Sequence, residues 1–139
     1  MHSETVVALE AEIAAARSRL EGRGIQIHGH GGESKEGPYW HYEFTRQWPL
    51  PPDRGSSRVG FWWGPMMFPE MPDKLEIQRI GEIFREGQPS HFREGASRVV
   101  SSAAVLNGKL EGIVVEELRA CEEAVALRSN TSLERTRGR

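Results

Sequence analysis

The chain has 139 residues, 37% apolar and 27% charged, with a net charge of −2. This fits one globular domain with a modest core and excludes a disordered chain. No apolar run nears the ~20 residues of a membrane span, and no bulk positive charge marks a nucleic-acid binder.

Ser3 can cap a helix whose apolar residues fall at Val6, Leu9, Ile13, Ala16 and Leu20, a clean amphipathic stripe. Gly22 and Gly24 end it. Its acidic, amphipathic character reads as neither signal nor transit peptide. The stripe serves the chain's own core or a helix–helix contact with a partner chain. "GIQIHGH" then alternates, with Ile25 and Ile27 on one face and Gln26, His28 and His30 on the other. After the turn-forming "GGESKEGP" comes "YWHYEFTRQW". There Trp40, Tyr42 and Phe44 share one parity and Tyr39, His41, Glu43 and Thr45 the other, which fits a strand, while ten residues also suit a short helix. "PLPPDRGSS" reads as a flexible connection.

"GFWWGPMMF", residues 60–68, is the most unusual stretch. As a strand it sets Val59, Phe61 and Trp63 on one face and Arg58, Gly60 and Trp62 on the other. Pro65 would confine it to an edge or require a bulge. In "PDKLEIQRIGEIFREG", Asp73 and Glu76 form a capping-box-like pair. The segment is expected to be a helix burying Ile77, Ile80 and Phe84 and stopping at Gly87, with Ser90 capping one more turn. Residues 96–128 admit two readings, one long helix or a hairpin. Asn107-Gly108 is a strong two-residue turn signal, and β-branched residues with Gly108 and Gly112 disfavour helix. The hairpin is preferred, pairing "SRVVSSAAVL" with "KLEGIVV". "EELRACEEAVAL" follows as a final helix with Leu118, Cys121 and Val125 inward.

The expected class is α+β: an N-terminal helix and a small mixed or antiparallel sheet with helices on one side. Residues 1–128 form one domain, with 1–22 as an optional arm and 129–139 as a flexible polar tail.

The lone Cys121 excludes an internal disulfide and a cysteine-based zinc cage, and suits a reducing, intracellular compartment. It sits beside Glu122 and Glu123, which disfavour a nucleophilic thiolate. His28 and His30 with His41 or Glu43 from a neighbouring strand could hold zinc or iron, giving a metal-dependent enzyme using His28, His30 and His41 as a third functional reading. There is no phosphate-binding glycine loop, nucleophile elbow or HExxH. No enzyme and no cofactor is therefore the first expectation. Fifteen of the eighteen basic residues are arginine, since the lysines are Lys35, Lys74 and Lys109. Arginine suits bidentate phosphate contacts, and the tryptophans at 40, 48, 62 and 63 lie near Arg46, Arg54 and Arg58. Tryptophan faces can stack on bases, or simply fill a core.

Six short collinear pieces, "GPYW", "GFWWGPMMF", "EIQRI", "GASRVV", "NGKLEGIVV" and "RACEEAV", resemble the RNA-silencing suppressors of tombusviruses and aureusviruses. They span roughly residues 37–128 with gaps. The resemblance implies a viral protein in the host cell cytoplasm. It further implies a homodimer whose strands join into one sheet, with the last helix, through Leu118, Cys121 and Val125, at the dimer contact. Duplex small interfering RNA would lie across that sheet, bound by its backbone and withheld from silencing without strict length selection. Trp40 would stack on a duplex end, with Trp48 the nearest second cap and Arg79 a basic position on the first long helix. The RNA-contacting set is then Trp40, Trp48, Arg58, Trp62, Lys74, Arg79, Ser102 and Lys109. Trp63-Gly64 is a dipeptide of the kind Argonaute-binding segments use. The alternative reading is a small dimeric α+β adaptor or chaperone that binds protein, through the first helix and the exposed aromatics.

Overall fold

The computed structural model describes residues 3–51, 53–64, 73–85, 88–93 and 97–137, with 88–93 and 129–137 described as backbone. The Ser3 side chain accepts from the Thr5 N–H at 3.2 Å and opens α1 (Glu4–Gly22). The five expected apolar positions of α1 are all buried. Gly24, at φ +79°, turns the chain into the sheet.

Strands β1 (Gln26–Ser34), β2 (Gly37–Leu50), β3 (Asp53–Trp63), β4 (Lys74–Arg85) and β5 (Gln88–Arg93) follow as an antiparallel meander. A four-residue β6 (Arg98–Ser101) also pairs with β4. Because β5 bonds to residues 80–85 of β4 and β6 to residues 74–77, the two share one flank of that strand. A 3₁₀ turn (Ser102–Ala104) leads to α2 (Leu110–Arg137).

Alternation sorts the strands' side chains onto two faces. One face carries Trp40, Tyr42, Phe44, Val59, Phe61, Trp63, Leu75 and Ile77, all buried. Against it pack the α1 stripe and Leu110, Val114 and Leu118 of α2, so both helices lie on the same side. Burying the apolar face of each element against the other is what makes a two-layer domain stable. A smaller cluster of Ile83, Cys121 and Val125, with Trp48 and Leu50 against it, continues that layer. The α+β class with helices on one side is therefore correct, as are the parities assigned to β1, β2 and β3.

Several expectations change. Residues 74–85 are a strand, not a helix. Leu75 and Ile77 alternate with Glu76 and Gln78, and strands on both flanks take up the backbone groups. The supposed helical stripe is split, since Ile77 faces the helices while Ile80 and Phe84 share the opposite parity. Ser90 lies within β5 and caps no turn. The flexible connection read into "PLPPDRGSS" is a tight hairpin, with Leu50 registered against Asp53.

The preferred hairpin over 96–115 is also replaced. Asn107 and Gly108 do adopt positive φ, 58° and 79°, but they turn the chain into a helix rather than a second strand. The Glu12 carboxylate of α1 accepts from the Gly108 N–H, both oxygens at 3.1 Å, which holds this turn against α1. From Leu110 onward, the apolar residues bury on a helical period that outweighs their β-propensity. Helix α2 begins earlier than expected and runs through Arg137, so the proposed tail from 129 is helical as far as that residue. Nor is α1 an appended arm: Arg19 joins Glu111 of α2 at 3.0 Å, and the stripe is integral to the core. Pro65 and Gly87 lie outside the described residues.

Candidate functional site

The helices cover one face of the sheet, and no described element covers the other, on which Ser56 and Glu82 are nonetheless buried while Tyr39, His41, Glu43, Arg58 and Trp62 are partly exposed. On this open face the register aligns His30, His41, Trp62, Glu76 and Val99 in one row across the strands. A second row runs His28, Glu43, Gly60 and Gln78, and a third Gln26, Thr45, Arg58 and Ile80.

Trp62 is the centre of the first row. Its ring stacks on His41, with centroids 4.3 Å apart and planes 17° from parallel. Its six-membered ring lies over Gly60, where a Cβ would come within 2.4 Å of it. Only glycine two residues earlier on the same face lets the indole lie down this way. His30 meets Tyr39 edge-on at 5.3 Å, which extends the aromatic surface toward the sheet edge.

Beside the aromatics runs a line of charges. His41 Nε2 is 3.7 Å from Glu43, Arg58 is 4.0 Å from Glu43, and Arg58 Nη2 donates to Glu82 at 3.1 Å. Gln78 donates to Glu76 on the same strand, and Arg54 lies over the Phe84 ring at 5.1 Å. Burial lowers the His41 pKa below the usual imidazole value, against the opposing pull of Glu43 and with help from His30. A neutral imidazole is thereby favoured next to the indole.

The described part of this face carries Glu43, Glu76 and the buried Glu82 against Arg54, Arg58 and Lys74, an even balance in which Glu82 is already held by Arg58. It can offer stacking, mixed hydrogen bonding and matched charge. It does not present the one-signed field that a phosphate backbone calls for.

The site residues expected from sequence are scattered. Arg58, Trp62 and Lys74 belong to the open face. Trp40 is fully buried beneath α1, packed at a tilt against Tyr42 and Phe61, with no ring face left for a base. Trp48 also faces the helices, where its Nε1–H donates to Ser57 Oγ at 3.1 Å. Arg79 is not on a helix. It reaches from β4 to the buried Glu117 of α2 at 2.5 Å, and Arg98 meets the same carboxylate at 2.6 Å. Ser102 is buried in the 3₁₀ turn, and Lys109 is exposed at the start of α2, so they form no common strand face. Trp63 and Gly64 are buried and offer no exposed dipeptide. Leu118, Cys121 and Val125 are fully covered by the chain's own sheet, with Cys121 Sγ donating to the Ile80 carbonyl at 3.5 Å. They are core residues rather than a dimer surface.

His28, His30 and His41 do share a face, yet among the described residues no group of three His, Cys, Asp or Glu side chains is arranged to hold a metal ion. No described helix is long and apolar enough to cross a membrane.

Sequence reasoning missed Glu76, Gln78 and Glu82 as parts of this face. The signal was available in "KLEIQ", where apolar and polar residues alternate, but the capping-box pattern at Asp73 masked it.

Comparison with family models, with curated proteins and with solved structures found no match.

Proposed function

We propose that this protein is a small non-enzymatic adaptor whose open sheet face binds a protein partner. The observation that carries this reading is the Trp62–His41 stack, set in a charge-balanced frame on a sheet face that no described element covers. Aromatic anchors within a polar rim are the common anatomy of protein-binding surfaces. The arginines speak for the same reading. Arg46, Arg58, Arg79, Arg85 and Arg98 each meet a carboxylate of the chain itself, so a phosphate would have to compete with Glu122, Glu82, Glu117 or Asp53.

Duplex RNA is the second reading, favoured by the shared face of Arg58, Trp62 and Lys74. In that case the duplex lies across the open face, and the sheet continues into that of a second subunit. The viral suppressor role implied by the short collinear pieces rests on this second reading.

One set of measurements separates the two. A displayed random-peptide library is selected on purified protein, and short duplex RNA is titrated at low and moderate salt. Peptides whose binding falls at least tenfold in Trp62→Ala support the adaptor. Salt-sensitive duplex binding that falls in Arg58→Ala or Lys74→Ala, with no such peptides, replaces it with the RNA reading.

A further inference from the structure

The histidines are not spread over the molecule. His28 and His30 stand exposed on β1 and His41 lies partly exposed on β2, all on the open face. Register sets His30 directly opposite His41, and His28 directly opposite Glu43. His91 of β5 is registered against Glu82. Four of the chain's five histidines therefore hold positions on the face that carries the Trp62–His41 stack.

Imidazole is the side chain whose ordinary charge change falls between about pH 5 and 8. Near neutral pH the described charges of this face balance, with Glu43, Glu76 and Glu82 against Arg54, Arg58 and Lys74. Protons taken up by His28, His30 and His41 turn that balanced face into a positive one.

The charged and titratable neighbours of His41 are His28 and His30 from β1, Tyr39 and Glu43 on its own strand, Arg58 from β3 and Glu76 from β4. No described helix reaches this side. His41 Nε2 lies 3.7 Å from Glu43, and Arg58 Nε lies 4.0 Å from the same carboxylate. A proton on His41 ties Glu43 to the imidazolium and leaves Arg58 with Glu82 alone. It also sets a cation against the indole, with 4.3 Å between ring centroids. Burial disfavours that proton most, His30 adds to this, and Glu43 opposes both. An anionic group brought to this row from outside would favour it.

We propose that the open face is acid-responsive: it takes an acidic peptide segment of its protein partner, and holds it more tightly as pH falls from about 7.5 to 5.5. This inference rests on the adaptor reading of the same face. With neutral histidines the face offers stacking and balanced charge. With protonated ones it adds attraction for Asp and Glu side chains, which ordinarily stay anionic in that range.

The test selects peptides from a displayed random library on the full chain, at pH 7.5 and separately at pH 5.5, in EDTA. The acid pool should be enriched in Asp and Glu, and its peptides should bind at least tenfold more tightly at pH 5.5 than at 7.5. That gain should shrink below threefold in the double variant His28→Gln/His30→Gln, and on adding salt. In the wild type, an acid-pool peptide should raise the midpoint of the His41 ring-proton titration by about half a pH unit or more, because linkage is reciprocal. An unmoved midpoint, or a gain that the double variant keeps in full, would overturn the proposal. Peptides that need Trp62 but bind equally at both pH values would overturn it and leave the adaptor reading standing. No peptide at either pH would end both, and short duplex RNA bound at pH 5.5 in place of acidic peptides would overturn the choice of a protein partner.

Discussion

Strand β3 places two tryptophan environments on opposite sides of one sheet. Toward the helices, the Trp48 ring from β2 lies against Gly55, is hydrogen-bonded to Ser57 and packs beside the Ile83, Cys121 and Val125 cluster. Toward the open side, the Trp62 ring lies over Gly60 and stacks on His41. Both use a glycine as a floor. What differs is the roof: α2 closes over the first, and no described element closes over the second. A large aromatic side chain therefore says little about function until the covering layer is known.

The difference predicts an asymmetry between adjacent residues. Phe61→Ala, on the covered face, should cost about 3–5 kcal/mol of unfolding free energy. Trp62→Ala, its neighbour in sequence, should cost only about 1 kcal/mol, an aromatic contact plus part of its burial. Chemical denaturation of both variants measures this directly. Equal losses would mean that the open face is covered after all.

The ion pairs should divide in the same way. Glu117 is buried and holds Arg79 and Arg98, so Glu117→Ala should destabilise by about 2 kcal/mol. That is less than for a fully buried pair, because both guanidinium groups reach solvent. Glu43→Ala on the open face should cost about 0.5 kcal/mol, and added salt should erase it sooner. A denaturation series at two ionic strengths reads out both.

Two titrations sharpen the contrast further. On the covered side, burial and the Glu10 carboxylate push the Tyr42 pKa up to about 12. Its folded pKa lies above the unfolded value, so its contribution is complete below pH ~10 and is lost as pH rises from there toward 12. Ultraviolet titration of the wild type minus Tyr42→Phe should show one tyrosine ionising in that late range. On the open side, His41 has a lowered pKa. Its contribution is complete above pH ~6.5 and declines as pH falls below that value, because the unfolded chain binds the proton more readily. Melting temperatures between pH 7.5 and 5 should therefore fall slightly less in His41→Gln than in the wild type. An identical decline would show that His41 does not sense this environment.

Where one chemical pattern had one physical solution, sequence was enough. Ser3 and the stripe Val6, Leu9, Ile13, Ala16 and Leu20 could only be a capped amphipathic helix. The alternation through Ile25–His30 read as a half-buried strand, and that through Tyr39–Thr45 fitted a strand, though ten residues would suit a short helix nearly as well. The parity separating Phe61 from Trp62 was likewise readable, and it located the centre of the open face. Residues 74–85 and 98–115 failed because each fits two periods. Leu75, Ile77 and Ile83 serve a strand as well as Ile77, Ile80 and Phe84 serve a helix. Asn107-Gly108 permits the same left-handed turn before either element.

The sequence by itself determined which side chains share a face within each element, because that follows from the local geometry of strand and helix. Only the tertiary structure decided which face was covered, and with it the fate of the tryptophans and arginines. Trp40 and Trp62 look alike in the chain, yet α1 lies over the first and no described element over the second. Arg58 and Arg79 look alike too, until Glu82 from a neighbouring strand and Glu117 from α2 arrive beside them. Burial and ion pairing depend on contacts between residues tens of positions apart, and no local pattern in a single sequence encodes those.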